Sequence, residues 1–106
     1  MKLVIEDEAG TRSVVPFAAD AIVVGRGTEG VTSRLAERNV SRRHARFLRQ
    51  NGAVFVEDLG SLNGTRVNGE RITGKRRLRP GDLIQIGDYD LAVLAEAQAL
   101  EPGEPP

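Results

Sequence analysis

Turn-forming residue pairs punctuate this chain: Asn-Gly falls at 51–52, 63–64 and 68–69, and Gly-Asp at 81–82 and 87–88. Glycine adopts positive φ without steric cost and asparagine tolerates it, so Asn-Gly favours the tight turns that close β-hairpins. The segments between are short and either apolar or alternating: Leu3–Ile5, Ser13–Phe17, Ala21–Val24, Ala45–Leu48, Ala53–Val56, Leu83–Ile86 and Tyr89–Leu94. Strands of this length at this spacing predict an all-β sandwich or barrel. Asn68-Gly69 reads as an ordinary hairpin turn between Arg66-Val67 and Glu70–Ile72. Val31–Asn39 fits either a short helix or an irregular loop, and its pattern does not decide.

A chain of 106 residues is expected to form one domain, above the size that needs disulfides or metals for stability. Hydrophobic residues make up 40% but aromatics only 4% (Phe17, Phe47, Phe55 and Tyr89), so the core must be mostly Val, Ile and Leu. With no cysteine and one histidine, disulfides and thiolate metal sites are excluded and no zinc site is evident. No metal or cofactor is expected. The opening Met1–Glu8 turns acidic after three apolar residues, too short for a signal-peptide core. No apolar run approaches the roughly 18 residues that span a bilayer. A soluble, cytoplasmic protein with no membrane partner is expected. The domain should occupy 1–94. Ala95–Leu100 has helical propensity but no cap, and Glu101–Pro106 is rich in Pro and Glu. Residues 95–106 therefore read as a linker or C-terminal tail, part of a longer multidomain protein.

The formal net charge is zero, yet the charges are segregated. Residues 26–79 hold 13 Lys/Arg against 5 Asp/Glu, whereas 1–25 and 80–106 together hold 2 against 10. Such segregation can place a positive potential on one face of a neutral molecule. It favours an anionic ligand where the cations fall on candidate loops.

Three loops separate the strand-like runs: Gly25-Arg26, Ser41-Arg42-Arg43-His44 and Ser61-Leu62-Asn63-Gly64-Thr65. They offer a guanidinium, a hydroxyl and a carboxamide. The guanidinium is a planar fork of donors that stays charged and suits a phosphate dianion. The carboxamide can donate to one backbone carbonyl and accept from one N–H, as an extended peptide requires. In this order, from about Ile22 to Leu91, the set resembles the forkhead-associated (FHA) domain, a phosphothreonine-peptide binding module.

The resemblance implies a β-sandwich of two antiparallel or mixed sheets with the binding loops at one end. It implies that Arg26 contacts the phosphate, that Ser41 donates to it, and that Arg42 assists at the phosphate or the peptide. Asn63 would grip the peptide backbone just after the phosphothreonine. Gly25, His44 and Gly64 would support the site, His44 as an internal brace for the serine. Leu62 replaces the hydroxyl residue that other members carry there, so only its backbone N–H could reach the phosphate. Gly30–Leu35 keeps alternation but lacks the Asp-Ile that the family often carries. The implied partner is a phosphothreonine-containing protein, and indirectly a Ser/Thr protein kinase in a signalling pathway.

Other readings are weighed against this one. Ser41 near His44 suggests a nucleophile and its base, but the flanking acids, Glu37 and Glu57, are remote in sequence, and no enzyme is expected. Gly25-Arg26-Gly27-Thr28-Glu29-Gly30 spells G-x-G-x-x-G, yet a dinucleotide site also needs a crossover helix and an acid about 20 residues on; Ala45–Gln50 has none. Lys75-Arg76-Arg77 and Arg79 form a basic knot, but with few aromatics to spare for base stacking, nucleic acid is not the expected ligand. The remaining alternative is a phospho-independent interaction scaffold that binds through a sandwich face.

Overall fold

Backbone pairing accounts for nearly every run singled out by the turn signals. The structure, a computed structural model, describes residues 1–94; the expected tail, 95–106, lies outside the described residues. Eleven strands and no helix are found there. They are β1 Lys2–Glu6, β2 Arg12–Pro16, β3 Ala21–Gly25, β4 Ser33–Arg34, β5 Ala45–Gln50, β6 Ala53–Asp58, β7 Arg66–Val67, β8 Glu70–Arg71, β9 Lys75–Leu78, β10 Ile84–Ile86 and β11 Tyr89–Leu94. One sheet has the order β2-β1-β11-β10-β7-β8, the other β4-β3-β5-β6-β9. Pairing is antiparallel except for β3 with β4, so the expected sandwich of antiparallel and mixed sheets is what forms. In β1 against β11, Lys2 sits opposite Leu94.

Alternation along each strand supplies the core. Leu3, Ile5, Val67, Ile84, Ile86 and Leu91 are buried from one sheet, and Ile22, Val24, Phe47, Val54, Val56 and Leu78 from the other. Phe17 is buried just beyond β2, and Phe55 and Tyr89 are half-buried. The scarcity of aromatics is met as expected, by branched aliphatic side chains that pack well on a pleated surface.

The undecided segment Val31–Asn39 is neither helical nor wholly irregular. Its backbone donors are drawn to β3: Thr32 N–H donates to Val23 O and Leu35 N–H to Gly25 O, both at 2.8 Å. Leu35 and Val40 are buried, anchoring the loop on the end of the core. Asn51 (φ 51°) with Gly52 (φ 80°), and Asn68 (φ 52°) with Gly69 (φ 85°), carry the paired positive dihedrals of a primed hairpin turn. At Asn63-Gly64 only the glycine has positive φ, so that pair is not a hairpin turn of this kind. The basic run at Lys75 is itself a strand, because Leu78 is buried and Lys75–Leu78 pairs with β6.

Two substitutions should separate packing from turn strain. Phe47→Ala, at a fully buried position, should cost about 3–5 kcal/mol. Gly52→Ala has open space for its Cβ but a positive φ, and should cost only about 1 kcal/mol. Denaturant melts of the two variants check the difference.

Candidate functional site

Gly25 closes β3 and allows two loops to touch. A Cβ added there would fall on the Arg42 carbonyl oxygen and lie 2.7 Å from its carbon. Without that side chain, Arg26 N–H donates to Ser41 O at 2.9 Å and Gly27 N–H to Arg42 O at 3.0 Å. The glycine is thus required by close backbone approach. Arg26 is exposed, and its Nε donates to Val40 O at 2.9 Å. This bond fixes the side chain over the second loop while leaving the outer guanidinium nitrogens available.

His44 joins the second loop to the third. It is 0% exposed. Its Nδ1 accepts the Ser41 backbone N–H at 3.0 Å, so the proton of the neutral ring lies on Nε2, which donates to Gly64 O at 2.8 Å. The Ser41 hydroxyl is not bonded to the imidazole; its Oγ accepts the Leu62 N–H at 3.1 Å. A serine–histidine relay is therefore not assembled. The histidine satisfies two backbone groups, and the serine keeps its hydroxyl proton to donate.

The third loop, residues 59–65, is folded around Asp58. Its Oδ1 accepts from Ser61 Oγ at 2.6 Å and Thr65 Oγ1 at 2.8 Å, and its Oδ2 from the N–H groups of Gly60 and Ser61 at 3.1 Å. Ser61 Oγ in turn accepts the Gly64 N–H at 3.0 Å. Burial pushes the Asp58 carboxyl up, but the hydrogen bonds from Ser61, Thr65 and Gly60 outweigh it and hold it below the ordinary carboxylate range. Ser61 and Thr65 bound the loop named from the sequence, whereas Asp58, which organises it, carries no such signal. The bonds from Gly60 N–H and Ser61 N–H form an Asx turn, which Asp58-Leu59-Gly60-Ser61 permits but does not single out.

The expected site residues converge at one end of the sandwich. Arg26, Arg42 and Asn63 are exposed, Ser41 is half-buried, and Gly25, His44 and Gly64 are buried beneath them. Arg42 makes no ion pair among the described residues. Leu62 is 82% exposed, and its N–H is occupied by Ser41 rather than facing outward. Asn63 Nδ2 donates to Asn39 O at 3.0 Å, leaving Oδ1 free among the described residues. Beside it an open cleft of about 450 Å³ is lined by Asn39, Asn63, Arg66, Gln85, Gly87 and Asp88. Glu8, Glu37 and Asp88 bring carboxylate oxygens within 4.8 Å of one another, but Glu37 Oε1 already accepts the Asp88 N–H at 3.0 Å. Exposed acids at such spacing are common without an ion, and none is assigned.

Comparison with known proteins finds relatives in sequence and in fold. The family model described as FHA domain matches residues 22–87. An oxoglutarate dehydrogenase inhibitor of Corynebacterium diphtheriae is 48% identical over 60 residues, which is 57% of this chain and 41% of that protein. The chain thus spans well under half the length of this curated relative. The crystal structure of the FhaA FHA domain in complex with the intracellular domain of another protein is 29% identical, covers 85% of this chain and 94% of its own, and has a TM-score of 0.72. Mycobacterium tuberculosis EmbR in complex with a low-affinity phosphopeptide is 32% identical over 85% of this chain and 23% of that one, also with a TM-score of 0.72.

Two measurements test the internal bracing. His44→Ala strands the Ser41 N–H and the Gly64 carbonyl, and should lower stability by at least about 2 kcal/mol in a denaturant melt. Because the folded Asp58 carboxyl lies below its unfolded value of about 3.9, its contribution is present above that pH and lost as pH falls through the folded value. Asp58→Asn should therefore be less stable at neutral pH and lose less stability on acidification below about pH 4 than the parent chain.

Proposed function

This chain belongs to the FHA domain family, and from that membership we propose that it binds phosphothreonine peptides, recruiting a phosphorylated protein partner in Ser/Thr kinase signalling. The observation that carries the proposal is the convergence of Arg26, Ser41 and Asn63 on a framework whose own hydrogen bonds are already made. The outer nitrogens of Arg26 and the Ser41 hydroxyl proton hold the phosphate. Arg42, adjacent and without an ion pair among the described residues, adds charge. Asn63 Oδ1 accepts from the peptide backbone and its carboxamide sets the register of the chain beyond the phosphothreonine. The Leu62 N–H acts through Ser41 rather than on the ligand.

Recognition by charge-assisted hydrogen bonds needs no bond-breaking step. The naming of one curated relative as an inhibitor supports a regulatory rather than an enzymatic role. Among the described residues no helix is long and apolar enough to cross a membrane. We place the module in the cytoplasm, with the kinase that modifies its partner, as one part of a longer protein.

Fluorescence polarisation with a library of phosphothreonine peptides, alongside matched phosphoserine and unphosphorylated sets, tests the proposal. Phosphothreonine should bind best, and equal binding of all three sets rejects the reading. Arg26→Ala should weaken binding by more than about tenfold without unfolding the domain, since a charge-assisted hydrogen bond contributes about 1.5–3 kcal/mol. Phosphate loses its second charge near pH ~6, so affinity should fall between about pH 7.5 and about pH 5.5; a flat profile points to another ligand.

A further inference from the structure

Positive charge that the recognition loops leave unused runs along one side of the sandwich. Residues 66–79 hold six cations, Arg66, Arg71, Lys75, Arg76, Arg77 and Arg79, against one acid, Glu70. Glu70 is already engaged, its Oε1 2.8 Å from Arg76 Nη1. Arg77 and Arg79 are exposed and have no ion-pair partner among the described residues. With Arg76 they line an open cleft of about 530 Å³. Asp82 lines it too, but its oxygens accept from the Arg79 N–H at 2.8 Å and from Asn68 Nδ2 at 2.9 Å. Those bonds, with the Arg76 and Arg79 charges, hold its carboxyl below the ordinary range.

The backbone of β9 adds a second, independent observation. Among the described residues β9 is an outer strand, paired with β6 alone. In an antiparallel ladder, hydrogen-bonded and non-bonded pairs alternate. Asp58 N–H donates to Gly74 O at 3.0 Å, which in this register makes Gly74, Arg76 and Leu78 the positions bonded to β6. The N–H and C=O of Lys75 and Arg77 therefore point away from β6, along an open edge. Their side chains are exposed, whereas Arg76 is half-buried and Leu78 buried. An edge studded with cations repels a second copy of itself. The same cations attract a strand of opposite charge.

We propose that β9 is a second binding surface, on which an extended, acid-rich segment of a partner protein adds as a further strand. Its backbone pairs with Lys75 and Arg77, and its carboxylates face Arg77 and Arg79. Only a polypeptide strand uses the outward N–H and C=O groups together; a nucleic acid or lipid headgroup would use the charge alone. Phe55, opposite Arg77 on the neighbouring strand, is half-buried and carries Lys75 Nζ 5.1 Å from its ring centroid, which favours a charged strand over base stacking there. Arg77 and Leu78 pair with Phe55 and Val54, toward the Gly52 turn and away from the loop that follows Asp58.

A fluorescein-labelled peptide alternating Glu and Thr is the probe, with a Lys-Thr peptide of equal length as control. The acidic peptide should bind saturably and more weakly as salt rises from about 0.05 to 0.3 M, and the basic peptide should not bind. The double variant Arg77→Glu, Arg79→Glu should lose about tenfold or more in affinity, with an unchanged melting temperature. On binding, hydrogen exchange at the Lys75 and Arg77 amides should slow, while Arg76 and Leu78 stay as they were. The proposal is overturned by absence of binding, by loss of binding in Arg26→Ala, or by binding without protection of those two amides. Tighter binding of single-stranded DNA or anionic vesicles at the same residues overturns it as well. The melt and the amide readout do not depend on phosphothreonine binding, so failure of that reading would be seen separately.

Discussion

A single buried imidazole holds the working end of this domain together. His44 receives one loop through the Ser41 N–H and grips another through the Gly64 carbonyl. Its own backbone is fixed by Val24 O below and the Leu59 N–H beside it, both at 2.9 Å. Three segments distant in sequence, 24–26, 41–44 and 59–64, are thus tied to one residue. Buried backbone groups must find partners; some of these are met by direct bonds between the loops, such as Arg26 N–H to Ser41 O and Leu62 N–H to Ser41 Oγ, but the Ser41 N–H and the Gly64 carbonyl are met by the imidazole. The histidine bridges those two groups, its Nδ1 accepting from one and its Nε2 donating to the other.

Around that brace, the loops are held by their own hydrogen bonds, while Arg26, Arg42 and Asn63 stay exposed at the surface. Asp58 organises residues 60–65, Gly25 permits the close approach of residues 41–43, and Asn39 O orients Asn63. Little remains to be ordered when a ligand arrives, so less of the interaction energy is lost to fixing side chains and loops. The surrounding cations add to this: five arginines occur in residues 26–43 against two acids, Glu29 and Glu37. They favour approach of an anion, with an ionic-strength dependence.

The strands were legible in the sequence because turn chemistry is local. Asn51-Gly52 and Asn68-Gly69 state their conformation in two residues, and the apolar runs between follow. What resisted reading depended on contacts made across the fold. β4 forms because Gly25 O and Val23 O accept its neighbours' donors, a pairing not written in Ser33-Arg34. β9 looked like a charge cluster because only Leu78, its last residue, is buried. Phe17 and Leu83 fall outside the strands drawn for them because those strands end at Pro16 and begin at Ile84. Arg26, Ser41 and Asn63 stood out as chemistry, while Asp58 did not. Its role is to accept hydrogen bonds from its own loop, and nothing in an isolated acidic residue distinguishes that from a solvated one.

The pairing of Lys2 with Leu94 has a consequence for how the domain can be deployed. These positions meet at the end of the sandwich remote from Arg26 and Asn63, a strand's length of roughly 17–20 Å away. Both ends of the described strands thus lie together, opposite the loops. Any host sequence joined at these positions would enter and leave through adjacent strands, clear of the three loops. Such an arrangement lets the same domain be grafted into a surface loop of an unrelated scaffold, or set beside a second one, without redrawing its contacts.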